Sequence, residues 1–421
     1  MIRILSLPPL SVPPMPVDLT KLFQSRTEQL RTQASEIGLI APEDLRKPDL
    51  VFAIAQKLSD KAGEQLGTGV LEVHAEGFGF LRSPAANFLS GPDDIYVSQS
   101  QIRRFKLQTG DAVIGVVRPP KEGERYLALL RVESINGEPP GDERPSFDAL
   151  TAIYPDDRID LGDDDWLRVI DFAAPMGLGQ RGLLVAGPRT GRVEVLRRLV
   201  DRLAADEDLH VTVLLVGERP EEIHEWRIGT RAEVIATPFD EPPARHVQVA
   251  DIVFERARRR VEGGDDAVLV VDSLSRLLRF CLAEVAPSGR DLGGVDAAAL
   301  HRIRRYLGAA RALEEGGSLT VVGVVSGDPD SKMDRVLLED LREVVNWELT
   351  LSREIADRGI RPPVDLRHSG TQREDRLLSE EDRLLREDLR SRLTGDPIED
   401  AASLVDVATA RRLDTSRATG Q

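Results

Sequence analysis

Between Gly182 and Leu199 the chain reads GLLVAGPRTGRVEVLRRL: an apolar run, a glycine-containing turn, then a helical pattern. A loop that cradles phosphate is built this way, with backbone N–H groups and a helix N-terminus turned to the anion. Its usual form is G-x-x-x-x-G-K-[ST], in which the lysine reaches the outer phosphates and the hydroxyl holds Mg²⁺. Here Ala186 to Val193 reads AGPRTGRV. Arg192 stands for the lysine, and Val193 offers no oxygen where the hydroxyl belongs. Two carboxylates end apolar runs farther on. Asp272 closes AVLVVD, the form of a strand whose aspartate holds Mg²⁺. Glu218 closes VTVLLVGE, where a carboxylate polarises an attacking water.

A second stretch points to different chemistry. EGFGFLR places Phe78 and Phe80 on one strand face, with Gly77 and Gly79 beside Phe78 clearing space and Arg82 following on that face. Single-stranded nucleic acid is held by aromatic faces on which bases stack, next to positive charge that meets the backbone. Between Leu66 and Ser134 there are eight basic and eight acidic residues, so this segment is neutral within a chain of formal net charge -16. The overall acidity argues against indiscriminate nucleic-acid binding but leaves room for a local groove. The alternative is that these aromatics are barrel core.

The elements that must position these residues follow from pattern. At 421 residues the chain holds two or three domains. Residues 17–66 show apolar recurrence at three and four, with Pro42 and Pro48 marking helix starts. Short strand-like runs separated by glycine and proline turns fill 67–137 and suit a small antiparallel barrel. A proline-rich linker, 138–152, leads into 153–405, where apolar strands alternate with helices. That alternation predicts an α/β domain on a parallel sheet covered on both faces. REDRLLSEEDRLLREDLRSRL reads as one amphipathic helix, and 406–421 as a polar tail. Residues 1–16 read as a flexible leader, or as the product of a start codon placed too early; they are too short and proline-broken for a signal peptide. No apolar run approaches the ~20 residues needed to cross a membrane. The lone Cys281 excludes a disulfide framework, fits a reducing cytosol, and reads as a buried small apolar residue. The strand order and spacing around 186–193, Glu218 and Asp272 resemble those of a RecA-type core; an unrelated sheet with ordinary strand-end carboxylates is the alternative.

Longer runs carry a more specific likeness. FDEPPARHVQVAD, DSLSRLLR, GGVDAAALHR, EEGGSLT, SKMD and LSREIA, with GFGFLR, GPDDIYVSQSQIRRF and RPPKEGERY, resemble the transcription termination factor Rho family from about Val17 to Val405. The resemblance implies a helical segment, an OB-fold-like barrel and a RecA-like ATPase domain with C-terminal helices. It implies a hexameric, RNA-dependent ATPase that translocates on RNA and dislodges transcription complexes, with ATP and Mg²⁺ as cofactors. Implied partners are single-stranded, cytosine-rich RNA, further copies of the chain or an active family member in a ring, and RNA polymerase, in the cytoplasm and without a membrane.

Residue by residue, the resemblance implies a primary RNA site of Gly77, Phe78, Gly79, Phe80, Leu81, Arg82, Asp94, Ile95, Tyr96, Glu124, Arg125 and Tyr126. A carboxylate such as Glu124 beside stacked bases accepts from a cytosine amino group. A secondary RNA site carries Arg290 and Lys332, on loops in which Asp291, Pro329 and Asp330 add negative charge and stiffness. The implied nucleotide site comprises Gly177, Leu178, Gly179, Gln180, Arg181 and Gly182, then Arg189, Thr190, Gly191, Arg192, Val193, Glu194 and Arg219. Glu218 takes the role of catalytic base and Asp272 that of Mg²⁺ holder. His368 falls on the position of an arginine finger, Gly217 on that of an aspartate, Gln372 on that of an arginine and Arg361 on that of an aromatic near adenine. Because several groups differ at one site, three states stay open: efficient hydrolysis, nucleotide binding without hydrolysis, and no useful nucleotide binding. An RNA-binding, non-enzymatic member that modulates an active one is the functional alternative to termination driven by ATP.

Overall fold

The computed structural model describes residues 21–22, 25–62, 65–141, 144–284, 288–328 and 330–410. The expected leader, Pro287, Pro329 and most of the polar tail lie outside them. The chain falls into two compact units, which meet in sequence at residue 142, with 87–89 counted to the second.

In the first unit, α1 (Thr27–Glu36) and α2 (Lys47–Ala62) pair through Leu30, Ala34, Leu50, Val51 and Ile54. The same cluster takes in Leu66, Ile114 and Val116, which fastens the helices to the barrel's outside. The barrel follows: β1 (Leu66–Val73), β2 (Gly79–Arg82), β3 (Ile95–Val97), the short helix α3 (Gln99–Arg104), β4 (Ala112–Arg118) and β5 (Leu127–Ile135). It closes in the order β1-β2-β3-β5-β4. The expected antiparallel ladder needs one correction, because β3 and β5 run parallel. Inside, Leu71, Leu81, Ile95, Val97, Val113, Val117, Leu129 and Val132 fill the lumen. Alternation puts the intervening side chains outside.

The second unit is a parallel α/β core. Its elements are β6 (Ala152–Ile153), α4 (Asp165–Ala173), β7 (Arg181–Ala186), α5 (Arg192–Leu203), β8 (Leu209–Glu218), α6 (Pro220–Gly229), β9 (Glu233–Pro238), α7 (Pro243–Glu262), β10 (Asp266–Asp272) and α8 (Leu274–Glu284). There follow the hairpin β11 (Asp291–Leu292) and β12 (Val295–Asp296), α9 (Ala297–Gly308), β13 (Arg311–Leu313), β14 (Ser318–Val325), α10 (Lys332–Arg342), β15 (Trp347–Leu351), α11 (Arg353–Asp357), β16 (Gly370–Thr371), α12 (Glu380–Ser391) and α13 (Pro397–Ala410). The sheet runs β16-β15-β7-β14-β10-β8-β9, parallel from β15 to β9. Every residue of β14 is buried, which explains its unbroken apolar sequence. Register sets Asp272 beside Leu215 and Ala186 beside Leu351, so the carboxyl ends of β7, β8 and β10 share one edge. Ligand sites of open parallel sheets form at that edge.

The stretch from Arg373 is not one helix. Leu377 and Leu378 are buried, and α12 starts only at Glu380, where Ser379 Oγ accepts from the Asp382 N–H. A serine cap competes with helix continuation, and three acidic residues then suit the first turn. Arg386 is buried in this helix and donates to the carbonyls of Phe172 and Ala173, tying α12 to the end of α4.

Candidate functional site

On the barrel, β1 and β2 are joined by a turn over 74–78 whose backbone dictates its glycines. Gly77 has φ +89°. A Cβ on Gly79 would lie 2.6 Å from the Glu72 carbonyl oxygen. Both glycines therefore serve the turn and the close approach of β2 to β1, and not the clearing of space beside Phe78.

The turn sets an aromatic cluster on the barrel's outer face. Phe80 meets Tyr126 edge-on at 5.0 Å and Tyr96 at 6.0 Å, and Phe78 lies 5.8 Å from Phe80 and 5.9 Å from Tyr96. Cross-strand pairing of Phe80 with Tyr96 fixes this arrangement. Tyr96 is 37% exposed, and Phe78, Phe80 and Tyr126 are half-buried, so the rings are not core. His74, which the sequence reading missed, stacks on Phe78 at 5.1 Å with an interplanar angle of 11°. Its position at the mouth of a glycine turn, facing an aromatic four residues later, was the available signal.

Four members of the expected set have structural duties instead. Leu81 and Ile95 are barrel core. Arg82 is 4% exposed; it pairs with Glu72 at 2.7 Å and with Asp94, which also accepts from the Gly91 N–H. Arg82 thus does not reach a phosphate. Its guanidinium lies 5.0 Å from the Phe80 ring centroid and props that ring from within. Glu124 is exposed and gripped by Arg118 at 2.5 and 2.8 Å and by the Lys121 N–H at 2.9 Å. These bonds, Arg118 first, hold its carboxyl down to about 2. Three acceptor positions are used, which leaves room for one further donor. Arg125 is exposed, 5.6 Å from the Tyr126 centroid.

At the carboxyl edge of the parallel sheet, the loop after β7 reaches α5 through Gly191, which has φ +79° and gives the helix no side-chain cap. The first N–H groups of α5 are thereby open to an anion. Thr190 is 1% exposed and its hydroxyl donates back to the Gly187 carbonyl at 2.8 Å. Arg189 is exposed with φ +60°, and Glu194 and Arg219 are also exposed.

The carboxylates are occupied. Asp272, 2% exposed, accepts from Arg276 Nη2 at 3.0 Å through Oδ1, and its Oδ2 lies 3.4 Å from Arg192 Nη2. The same Arg276 Nη2 donates to Glu218 Oε2 at 2.6 Å, and Nη1 donates to the Gly217 carbonyl at 2.9 Å. Burial pushes the Glu218 carboxyl up, but Arg276, the Arg219 N–H and Arg192 outweigh this and hold it below the usual range. A base held low is a weaker base. Gly217 has φ +58°, and a Cβ there would meet the Phe280 ring at 3.0 Å. Phe280, stacked on His246 at 3.7 Å, thus takes the space an aspartate side chain would need.

Mg²⁺ does not fit this set. Val193 has no oxygen, the Thr190 hydroxyl is buried, and both oxygens of Asp272 face guanidinium groups. A dication would have to displace Arg192 against like charge.

The remaining expected residues divide. Gly177 to Gly182 sit at the opposite, amino end of β7, where Gln180 accepts from the Gly177 N–H, Gly179 donates to Thr320, and Arg181 donates to the Val344 and Ala310 carbonyls. In this chain they shape a turn and do not join the cradle. His368 Nδ1 lies 2.8 Å from Asp365, and neighbouring Arg367 donates to the Gly395 carbonyl. Arg361 folds onto the Ala356 and Ile360 carbonyls, and Gln372 donates to Val345. Arg290, in the loop before β11, and Lys332, the first residue of α10, are exposed, and the β11–β12 hairpin approaches α10, with a Cβ on Gly294 3.3 Å from Lys332 Nζ. Asp291 caps its own hairpin by accepting from the Gly294 N–H.

Comparison with known proteins decides the family. Residues 67–141 match the Rho termination factor RNA-binding domain, and 167–371 match the nucleotide-binding domain of the ATP synthase alpha/beta family. The chain is 46% identical to the transcription termination factor Rho of Pseudomonas aeruginosa over 377 residues, covering 87% of this chain and 90% of that one. It is 44% identical to that of Escherichia coli over 376 residues, at the same coverage. The chain belongs to the Rho family. A solved structure from a study of a type III secretion system ATPase shares the fold, with a TM-score of 0.52 at 19% identity over 69% of this chain and 91% of that one. As a Rho-family chain it thus combines an OB-like RNA-binding barrel with a RecA-like core. Among the described residues no helix is long and apolar enough to cross a membrane.

Proposed function

We propose that this Rho-family termination factor grips single-stranded, cytosine-rich RNA on the ring cluster of His74, Phe78, Phe80, Tyr96 and Tyr126, with hydrolysis of ATP slowed or lost. The observation that carries the reading is the half-exposed cluster on the outer face of a barrel that matches the family's RNA-binding domain. Arg118 fixes Glu124 with one acceptor position spare, which suits the exocyclic amino group of cytosine. Arg290 and Lys332 supply a weaker second contact to RNA. The reading further proposes a cytoplasmic location, action on transcription complexes at RNA polymerase, and assembly into rings of six copies or alongside an active family member. The paired carboxylates favour a modulating, non-enzymatic role over ATP-driven translocation. Equilibrium binding of fluorescent oligo-C and oligo-U single strands, and of an RNA duplex, to the full chain tests it: micromolar or tighter binding of single strands that prefers C supports it. Equal affinity for single strands and duplex, or none, overturns it.

A further inference from the structure

The cradle raises a question that the RNA face does not: what can bind where magnesium does not fit? We propose that the loop 187–193 takes the polyphosphate of a nucleoside di- or triphosphate without a divalent cation, with Arg192 doing the work usually divided between a lysine and a metal. The proposal rests on the reading of this loop as a nucleotide site, which the matched nucleotide-binding domain over 167–371 supports.

Three observations converge. The helix start is open: α5 runs 12 residues from Arg192, and Gly191 supplies no side chain to occupy its first N–H groups. The loop presents no hydroxyl to a metal, since Thr190 is 1% exposed and position 193 is valine. Finally, the charges at the sheet edge already match: Asp272 and Glu218 are met by Arg192 and Arg276.

The two arginines differ in what they are free to do. Arg276 is locked by Glu218, Asp272 and the Gly217 carbonyl, at 2.6, 3.0 and 2.9 Å. Arg192 makes an ion pair at 3.4 Å that is too long for a good hydrogen bond, and its Nε has no hydrogen-bond partner. A phosphate arriving at the α5 N-terminus offers Arg192 two oxygens in a plane, which a guanidinium binds better than it binds one distant carboxylate oxygen. Exposed Arg189 adds positive charge at the loop's mouth. Metal-free nucleotide carries one or two more negative charges than its magnesium complex, so this arginine cradle prefers it.

The test is equilibrium binding of a fluorescent ATP or ADP analogue to the full-length protein, in millimolar Mg²⁺ and in EDTA, with oligo-C affinity measured on the same sample. The expected result is affinity in EDTA equal to, or up to about tenfold tighter than, that in Mg²⁺. The paired substitution Arg192→Lys with Val193→Thr restores an amine and a hydroxyl and is expected to reverse the order, with EDTA weakening binding tenfold or more. Arg192→Ala should weaken binding at least tenfold in EDTA while oligo-C affinity stays put, which shows that the variant is folded. Tenfold loss of wild-type affinity in EDTA overturns the proposal, as does absence of nucleotide binding in both buffers. If oligo-C binding is intact while nucleotide binding fails, the cradle proposal falls alone; loss of oligo-C binding instead strikes the RNA reading.

Discussion

The barrel face and the sheet edge treat their functional groups in opposite ways. On the barrel, arginines stand behind the working surface. Arg82 is buried with Glu72 and Asp94 under Phe80, Arg118 pins Glu124, and the rings above stay half-exposed. At the sheet edge, arginines stand on the working groups themselves: Glu218 and Asp272 both accept from Arg276, and Asp272 also faces Arg192. The same pairing of guanidinium and carboxylate therefore preorganises one site and fills the other. What matters is whether the pair lies beneath the surface that meets the ligand or within it.

Substitutions separate the two regions, and the rings come first. Phe80→Ala and Tyr126→Ala should each weaken single-stranded RNA binding by about 1–3 kcal/mol, the worth of one base stack, with nucleotide binding unchanged; titration of a labelled oligo-C reads both. Unchanged RNA affinity in both variants would return the rings to the barrel's packing. His74→Ala should weaken the same titration by roughly 0.5–1.5 kcal/mol, an aromatic pair's contribution. The effect is smaller because His74 acts through the rings it supports, stacked on Phe78 at 5.1 Å and edge-on to Phe80 at 5.5 Å. Arg118→Ala should leave oligo-U affinity within about twofold and reduce the preference for C, because a Glu124 released from Arg118 is no longer aimed. Smallest is the effect at Cys281, on the helix that carries Arg276. Burial pushes its thiol to about 11. At pH 8 it should stay unreactive to a disulfide exchange reagent until denaturant opens the core; rapid reaction in native buffer would show that α8 opens and that the Arg276 lock is loose.

The parts of this molecule that follow period and strand-end position were legible in its sequence. VTVLLVGE and AVLVVD became β8 and β10, with Glu218 and Asp272 at their carboxyl ends, because continuous apolar runs between helices fit only a doubly covered parallel sheet. Phe78 and Phe80 were legible from their spacing, and Tyr96 and Tyr126 only through the family resemblance; pairing of β2 with β3 sets Tyr96 beside Phe80. Side-chain partnerships were not legible. Nothing in the spacing shows that Arg82 points into a buried pair, that Arg276 spans two carboxylates, or that Phe280 fills the space beside Gly217. These depend on tertiary distances of a few ångströms between elements far apart in sequence. The turn 177–182 entered the expected set through the resemblance alone, and nothing in its spacing shows that Gln180 and Gly179 hydrogen-bond at the amino end of β7.

ATP turnover by the purified chain, with and without cytosine-rich RNA and on the same sample whose RNA affinity has been titrated, bears most directly on the contrast between the two sites. If guanidinium groups occupy the catalytic carboxylates while the aromatic face remains open, RNA binds and turnover stays well below ~1 s⁻¹ in its presence. RNA-stimulated turnover at about 1 s⁻¹ or above, abolished by Glu218→Ala, would contradict the account.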